Sequence, residues 1–218
     1  MTWRRHVWLQ KKLSGILSTS STMKTGLFFG SYNPVHIGHL AIANWLIEFT
    51  DLNEIWFVVS PHNPLKKKST LLADHHRLEL VERAIGDDLR FRVSDIESRL
   101  PQPSYTIDTI TYLREKYPGK EFSLILGSDN LSTLHKWKNI DELIRLCTIY
   151  TYPRKVEKKG LIPALDNILA KADIRQVDAP LIEISSTFIR DAIRKGKDIR
   201  HLLAPQVWKY ISDMNFYR

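Results

Sequence analysis

The chain has 218 residues, 43% hydrophobic and 26% charged, with a formal net charge of +8 and a single cysteine, Cys147. That length and apolar share suit one large core. The lone cysteine excludes an intramolecular disulfide and a cysteine-rich metal site, which points to a reducing cytoplasm. No apolar run reaches the roughly 18–20 residues a membrane span needs, so no membrane partner is expected.

The charge is unevenly placed. Residues 1–22 carry Arg4, Arg5, Lys11 and Lys12 and no acid, so the remainder holds a net charge of only +4. This mild excess suits an anionic small substrate and is weak support for nucleic acid. The same segment ends in Ser18-Thr19-Ser20-Ser21-Thr22. We read residues 1–22 as an N-terminal extension, with the functional start at Met23-Lys24 and one domain over residues 23–218.

From Lys24 onward, apolar strands alternate with amphipathic helices. A strand is expected over 25–30, then a helix over 38–49 with Leu40, Ala43, Leu46 and Ile47 on one face. The continuous apolar run 54–60 predicts a buried parallel strand. Residues 73–85 predict a helix, 89–93 a strand, and 106–117 a helix stopped by Pro118-Gly119. Residues 122–126 form the next buried strand, ending at Gly127-Ser128-Asp129. Asn139 is the expected cap of helix 140–146. A strand over 148–152, a helix over 163–172 and a strand over 174–177 follow. Helix 186–195 closes at Gly196, and helix 205–214 opens with proline in its first turn. This alternation predicts an α/β fold: a doubly wound parallel sheet with helices on both faces.

Three places carry chemistry. The first is Gly30 to His39. There Gly30 permits close approach of a ligand, and Asn33-Pro34 makes a turn. Gly38 sits at a helix start, where free N–H groups and the dipole favour an anion. His36 and His39, three apart around that start, can reach one phosphate and stabilise charge in phosphoryl or nucleotidyl transfer. The second is Ile184-Ser185-Ser186-Thr187-Phe188-Ile189-Arg190, where hydroxyls open a helix and Arg190 follows Thr187 on the same face. The third comprises Lys66, the segment Ser104 to Thr109, and Gly127-Ser128-Asp129 leading to Trp137. Each of these adjoins an expected strand end, and Trp137 could stack on a planar ligand.

Other chemistry has little support. There is no P-loop, no Gly-x-Gly-x-x-Gly fingerprint and no Gly-x-Ser-x-Gly elbow. His75 and His76, being adjacent, are expected to diverge from a helix and to chelate poorly. Cys147 lies in an apolar stretch. No metal site is expected within the protein.

Taken together, Gly30-Ser-Tyr-Asn-Pro-Val-His-Ile-Gly-His39 resembles the HxGH motif of the nucleotidyltransferase superfamily, and Ile184-Ser-Ser-Thr-Phe-Ile-Arg190 resembles its partner motif. Pro61 to Lys66, Ser104-Tyr-Thr-Ile-Asp-Thr109 and Gly127-Ser-Asp to Trp137 narrow the resemblance to the bacterial nicotinate-nucleotide adenylyltransferases. It runs from about Met23 to the end, including Leu203 to Ile211. It implies a Rossmann-like fold and adenylyl transfer from ATP, with Mg²⁺, to nicotinate mononucleotide, giving deamido-NAD and pyrophosphate. His36, His39 and Arg190 would be catalytic. Gly30, Ser31, Gly38, Gly127, Asp129, Ser186 and Thr187 would bind ATP. Asn33, Lys66, Thr106, Asp108, Trp137 and Lys138 would serve the acceptor, Trp137 by stacking on the pyridine ring and Lys66 at its phosphate. ATP and nicotinate mononucleotide are the expected partners, and a homo-oligomer is compatible with the chain.

Two rivals remain. The nearer is the same reaction on another acceptor, nicotinamide mononucleotide or phosphopantetheine. The more distant is a nucleic-acid-binding module, which predicts binding that falls steeply with salt and needs no ATP. The chain lacks an aromatic-basic interleaved strand or recognition helix to support it.

Overall fold

The computed structural model describes residues 22–61, 71–155 and 163–218. The expected extension (but for Thr22) and Lys66 lie outside the described residues. Six strands form one all-parallel sheet: β1 (Met23–Gly30), β2 (Glu54–Val59), β3 (Phe91–Ser94), β4 (Lys120–Gly127), β5 (Ile149–Tyr152) and β6 (Ile174–Gln176). Their order is β3-β2-β1-β4-β5-β6. Strand order reverses between β1 and β4, and in such sheets that switch point opens a crevice at the carboxyl ends of the two strands.

Alternation along each strand divides the core in two. Phe28, Ile55, Phe57, Ile125 and Tyr150 face one cluster, while Leu27, Trp56, Val58, Leu124 and Ile149 face the other. The first cluster is closed by α1 (Ile37–Phe49), α2 (Asp74–Ile85), α8 (Ser186–Arg194) and α9 (Pro205–Asp213). The second is closed by α3 (Ile96–Arg99), α4 (Thr106–Lys116), α6 (Ile140–Leu146) and α7 (Pro163–Lys171), with the short α5 (Ser128–Leu131) at the end of β4. Strands buried on both faces read as continuous apolar runs, which is why β2 and β4 stand out in the sequence.

The expected elements are present with ends unchanged or shifted by one or two residues. β3 begins at Phe91 rather than Leu89, because Leu89 is turned out to solvent at 77% exposure. The four-residue α3 and α5 and two 3-10 turns, Leu134–Lys136 and Arg200–Leu202, were not expected; each is too short to show a helical period. α4 begins at Thr106 as expected, with Tyr105 at its N-cap position. One expected cap differs. Asn139 does precede α6, but it stands in the left-handed region at φ 48° and makes no side-chain cap bond.

Candidate active site

The chain leaves β1 through a turn set by Tyr32. At φ 44° this residue folds its buried ring back beneath Gly30 and donates its hydroxyl to the Phe28 carbonyl. A Cβ at Gly30 would lie 2.8 Å from that ring, so the glycine is required by packing inside the turn. The turn delivers His36 to the N-cap of α1 and His39 to its third position.

The two rings lie close, with centroids 3.8 Å apart and planes tilted by 33°. The His36 amide donates to His39 Nδ1 at 3.2 Å, the place a glutamate holds in a capping box. Accepting there leaves the proton of a neutral His39 ring on Nε2. His36 is 4% exposed, and its Nδ1 has no hydrogen-bond partner among the described residues. Burial, reinforced by the positive charge of Arg154, lowers the His36 pKa to about 4. At neutral pH His36 is therefore an uncharged ring. Gly38 leaves room for it: a Cβ there would meet His36 Nδ1 at 3.0 Å and Ile182 at 3.1 Å.

The two segments expected to hold an anion are stitched together. Ser186 Oγ donates to the Pro34 carbonyl at 2.9 Å, and Arg190 donates to the Asn33 carbonyl at 2.8 Å. A second arm of the Arg190 guanidinium reaches the Thr187 hydroxyl at 3.3 Å. The N-cap of α8 is Ser185, whose side chain accepts from the Phe188 amide, so Ser186 is left to bind across to the other segment.

The exit of β4 faces this pair. Gly127 is buried, and a Cβ there would press on the Asp129 carboxylate and lie 2.7 Å from Arg154 Cγ. The Ser128 hydroxyl accepts from the Arg154 amide at 3.0 Å, tying the exit of β4 to that of β5. Phe28, His36, His39, Tyr152, Arg154 and Ile184 line one cleft at this edge. Arg154 was not among the residues singled out from the sequence. Its signal there, a basic residue directly after the strand ending at Tyr152, was available but unremarkable beside other surface cations.

A second group gathers around the start of α4. Lys138 pairs with Asp108 at 2.9 Å, and its ammonium lies 4.4 Å from the centre of the Tyr105 ring. Trp137, partly buried, follows the 3-10 turn and packs on the second core cluster. Thr106, Asp108, Trp137 and Lys138 are thus brought together. Asn33 is 3% exposed, and its Oδ1 accepts from the Leu72 amide at 3.3 Å and the Tyr217 hydroxyl at 2.8 Å. Ser31 presents its carbonyl to Arg77 at 2.7 Å.

Elsewhere chemistry is sparse. Among the described residues no group of three or more His, Cys, Asp or Glu side chains could hold a metal ion. His75 and His76 do not diverge as expected: their rings pack 3.9 Å apart, and His76 is engaged by the Tyr210 hydroxyl. Burial pushes the Cys147 thiol up to about 12, which leaves it inert as a nucleophile. No helix among the described residues is long and apolar enough to cross a membrane.

Such a crevice, with donors from both strand exits and from α8, can hold a polyanion and stabilise charge on it. Residues 27–192 match the cytidylyltransferase-like family. A Flavobacterium johnsoniae protein named "Probable nicotinate-nucleotide adenylyltransferase" is 54% identical over 196 residues, 90% of this chain and all of that protein. A Bacteroides fragilis protein of the same name is 49% identical, over 86% of this chain and 90% of its own. In fold, the chain resembles the Plasmodium falciparum nicotinic acid mononucleotide adenylyltransferase complexed with NaAD, with a TM-score of 0.71 at 22% identity, covering 89% of this chain and 97% of that one. This chain belongs to the nicotinate-nucleotide adenylyltransferases, within the cytidylyltransferase-like family.

Proposed function

We propose that this chain transfers the adenylyl group of ATP to nicotinate mononucleotide in the cytoplasm, giving deamido-NAD and pyrophosphate. The carrying observation is the junction of the segment at Asn33 to His39 with the start of α8, made by the Ser186 and Arg190 hydrogen bonds to Pro34 and Asn33. It joins the two segments expected to hold an anion at one edge of the sheet, which supports a triphosphate as the ligand there. A phosphate oxygen of the mononucleotide attacks the α-phosphorus of ATP. The bond from that phosphorus to the bridging oxygen breaks, and pyrophosphate leaves with the electron pair.

The chain's residues position and stabilise, and form no covalent intermediate. His39, with its proton on Nε2, and the neutral His36 ring donate to the α-phosphoryl oxygens as charge builds. Arg190, Thr187 and Ser186 hold the departing phosphates, and Arg154 adds positive charge beside His36 and Asp129. Gly30, Ser31, Gly38 and Gly127 shape the backbone around the triphosphate. Mg²⁺ accompanying ATP would supply charge neutralisation on the triphosphate; among the described residues no group of three or more His, Cys, Asp or Glu side chains would hold it. On the acceptor side, Trp137 offers its ring to the pyridine, while Thr106, Asp108 and Lys138 form the wall beside it. Asn33 is assigned to the acceptor by the resemblance alone; its side chain is held by the Leu72 amide and the Tyr217 hydroxyl. Lys66 is assigned to the mononucleotide phosphate by the resemblance alone.

A pyrophosphate-release assay with ATP and three acceptors tests this: nicotinate mononucleotide, nicotinamide mononucleotide and phosphopantetheine. The acid is expected to give the highest kcat/KM. Turnover with another acceptor, and none with the acid, would overturn the assignment.

A further inference from the structure

Arg77 is the largest side chain withdrawn fully from solvent among the described residues, at 0% exposure. A buried guanidinium is costly unless each of its five N–H groups finds an acceptor. Here each does. Nε donates to the Leu72 carbonyl at 3.0 Å, and one terminal nitrogen donates to the carbonyls of Ser31 and Ser60, both at 2.7 Å. The other terminal nitrogen reaches the Pro61 carbonyl at 3.1 Å and Asp74 at 2.6 Å.

The location of these acceptors matters more than their number. Ser31 is the first residue beyond β1, on the path to His36, and Ser60-Pro61 is the first step beyond β2. Ser60 is held three ways: its amide donates to the Gly30 carbonyl at 2.9 Å, its carbonyl accepts from Arg77, and its side chain bonds the buried Glu97 carboxyl. Glu97 in turn engages Thr109 and Ser104, which flank the start of α4. One planar fork thus spans the chain leading to the histidines and the chain bordering the acceptor side.

We propose that Arg77 is a positioning residue for adenylyl transfer: it fixes the exits of β1 and β2 at one spacing, so that acceptor and α-phosphorus meet in line, and it touches neither substrate. This rests on the adenylyl-transfer reading above. A lysine carries the charge but only three donors and no planar fork, so it cannot make all five bonds that hold Leu72, Ser31, Ser60, Pro61 and Asp74.

The test is Arg77→Lys and Arg77→Gln in the full chain, with kcat, both KM values and peptide hydrogen exchange measured beside wild type. Misplacement of reacting groups by about 1 Å can cost about 10²-fold in rate. We expect at least one folded variant in which kcat falls about 10–100-fold while KM for ATP stays within about threefold. Exchange should quicken in peptides covering 31–36 and 58–61 and stay unchanged in β4 and β5. An unchanged kcat, exchange that quickens evenly across the sheet, or failure of both variants to fold would each overturn the proposal. Wild-type protein that releases no pyrophosphate would instead sink the functional reading, and the exchange pattern would still report on the Arg77 clamp.

Discussion

His36 and His39 share one helix entrance but not one environment, and their substitutions should separate accordingly. His39 is partly exposed, with Nδ1 fixed by the His36 amide, so its Nε2–H is a positioned donor. His39→Ala should lower kcat by about 10²–10³-fold, the scale of losing one such donor, with the fold intact by circular dichroism. An unchanged kcat would refute its role. His36 is buried, and its folded pKa of about 4 lies below the ordinary 6.5. Between those values the unfolded chain binds more protons than the folded one, so stability rises with pH. The stabilisation is fully present above about pH 6.5 and is lost as pH falls toward 4, amounting to about 3 kcal/mol across that window. Urea unfolding of wild type and His36→Asn at pH 7 and pH 4.5 checks this. The wild type should lose more stability on acidification; equal losses would show that burial of His36 is not the cause.

At the exit of β4 the neighbours of a glycine explain its presence. Gly127 ends β4 where the Asp129 carboxylate and Arg154 Cγ leave no space for a methyl group, whereas a Cβ at Gly119 would meet nothing within 4 Å. Gly127→Ala should therefore cost about 1–3 kcal/mol by overpacking and raise KM for ATP by displacing Arg154. Gly119→Ala should leave KM unchanged. Equal KM values for ATP in the two variants would remove Arg154 from the site. The strands and long helices were legible in the sequence because burial on one or two faces stamps a period on the chain. Gly127-Ser128-Asp129 was legible because a polar turn interrupts an apolar run. Arg154 and Arg77 were not. Their roles depend on what lies across a strand exit, and neither residue disturbs the local pattern.

At the scale of the whole molecule, the site exists because distant parts of the chain close on it. Ser186 meets Pro34 across 152 positions of sequence, and Tyr217 meets Asn33 across 184. No local pattern reports such pairings, although the sheet order makes them reachable by placing α1, α8 and α9 over the same face. The Tyr217 contact gives the C-terminal residues a place in the site's support. Its phenol is held well above the ordinary pKa, chiefly by burial, so it remains a protonated donor to Asn33 Oδ1. The same asparagine offers its carbonyl to Arg190. Tyr217→Phe removes one buried hydrogen bond and leaves Asn33 Oδ1 the Leu72 amide, so the loss should be about 1 kcal/mol. In a domain of this size that lowers Tm by about 2–4 °C. If Asn33 transmits the change to Arg190, KM for ATP should rise several-fold in the same variant, with kcat close to wild type. A lowered Tm with an unmoved KM would show that the C-terminal residues support the fold and leave the triphosphate site alone.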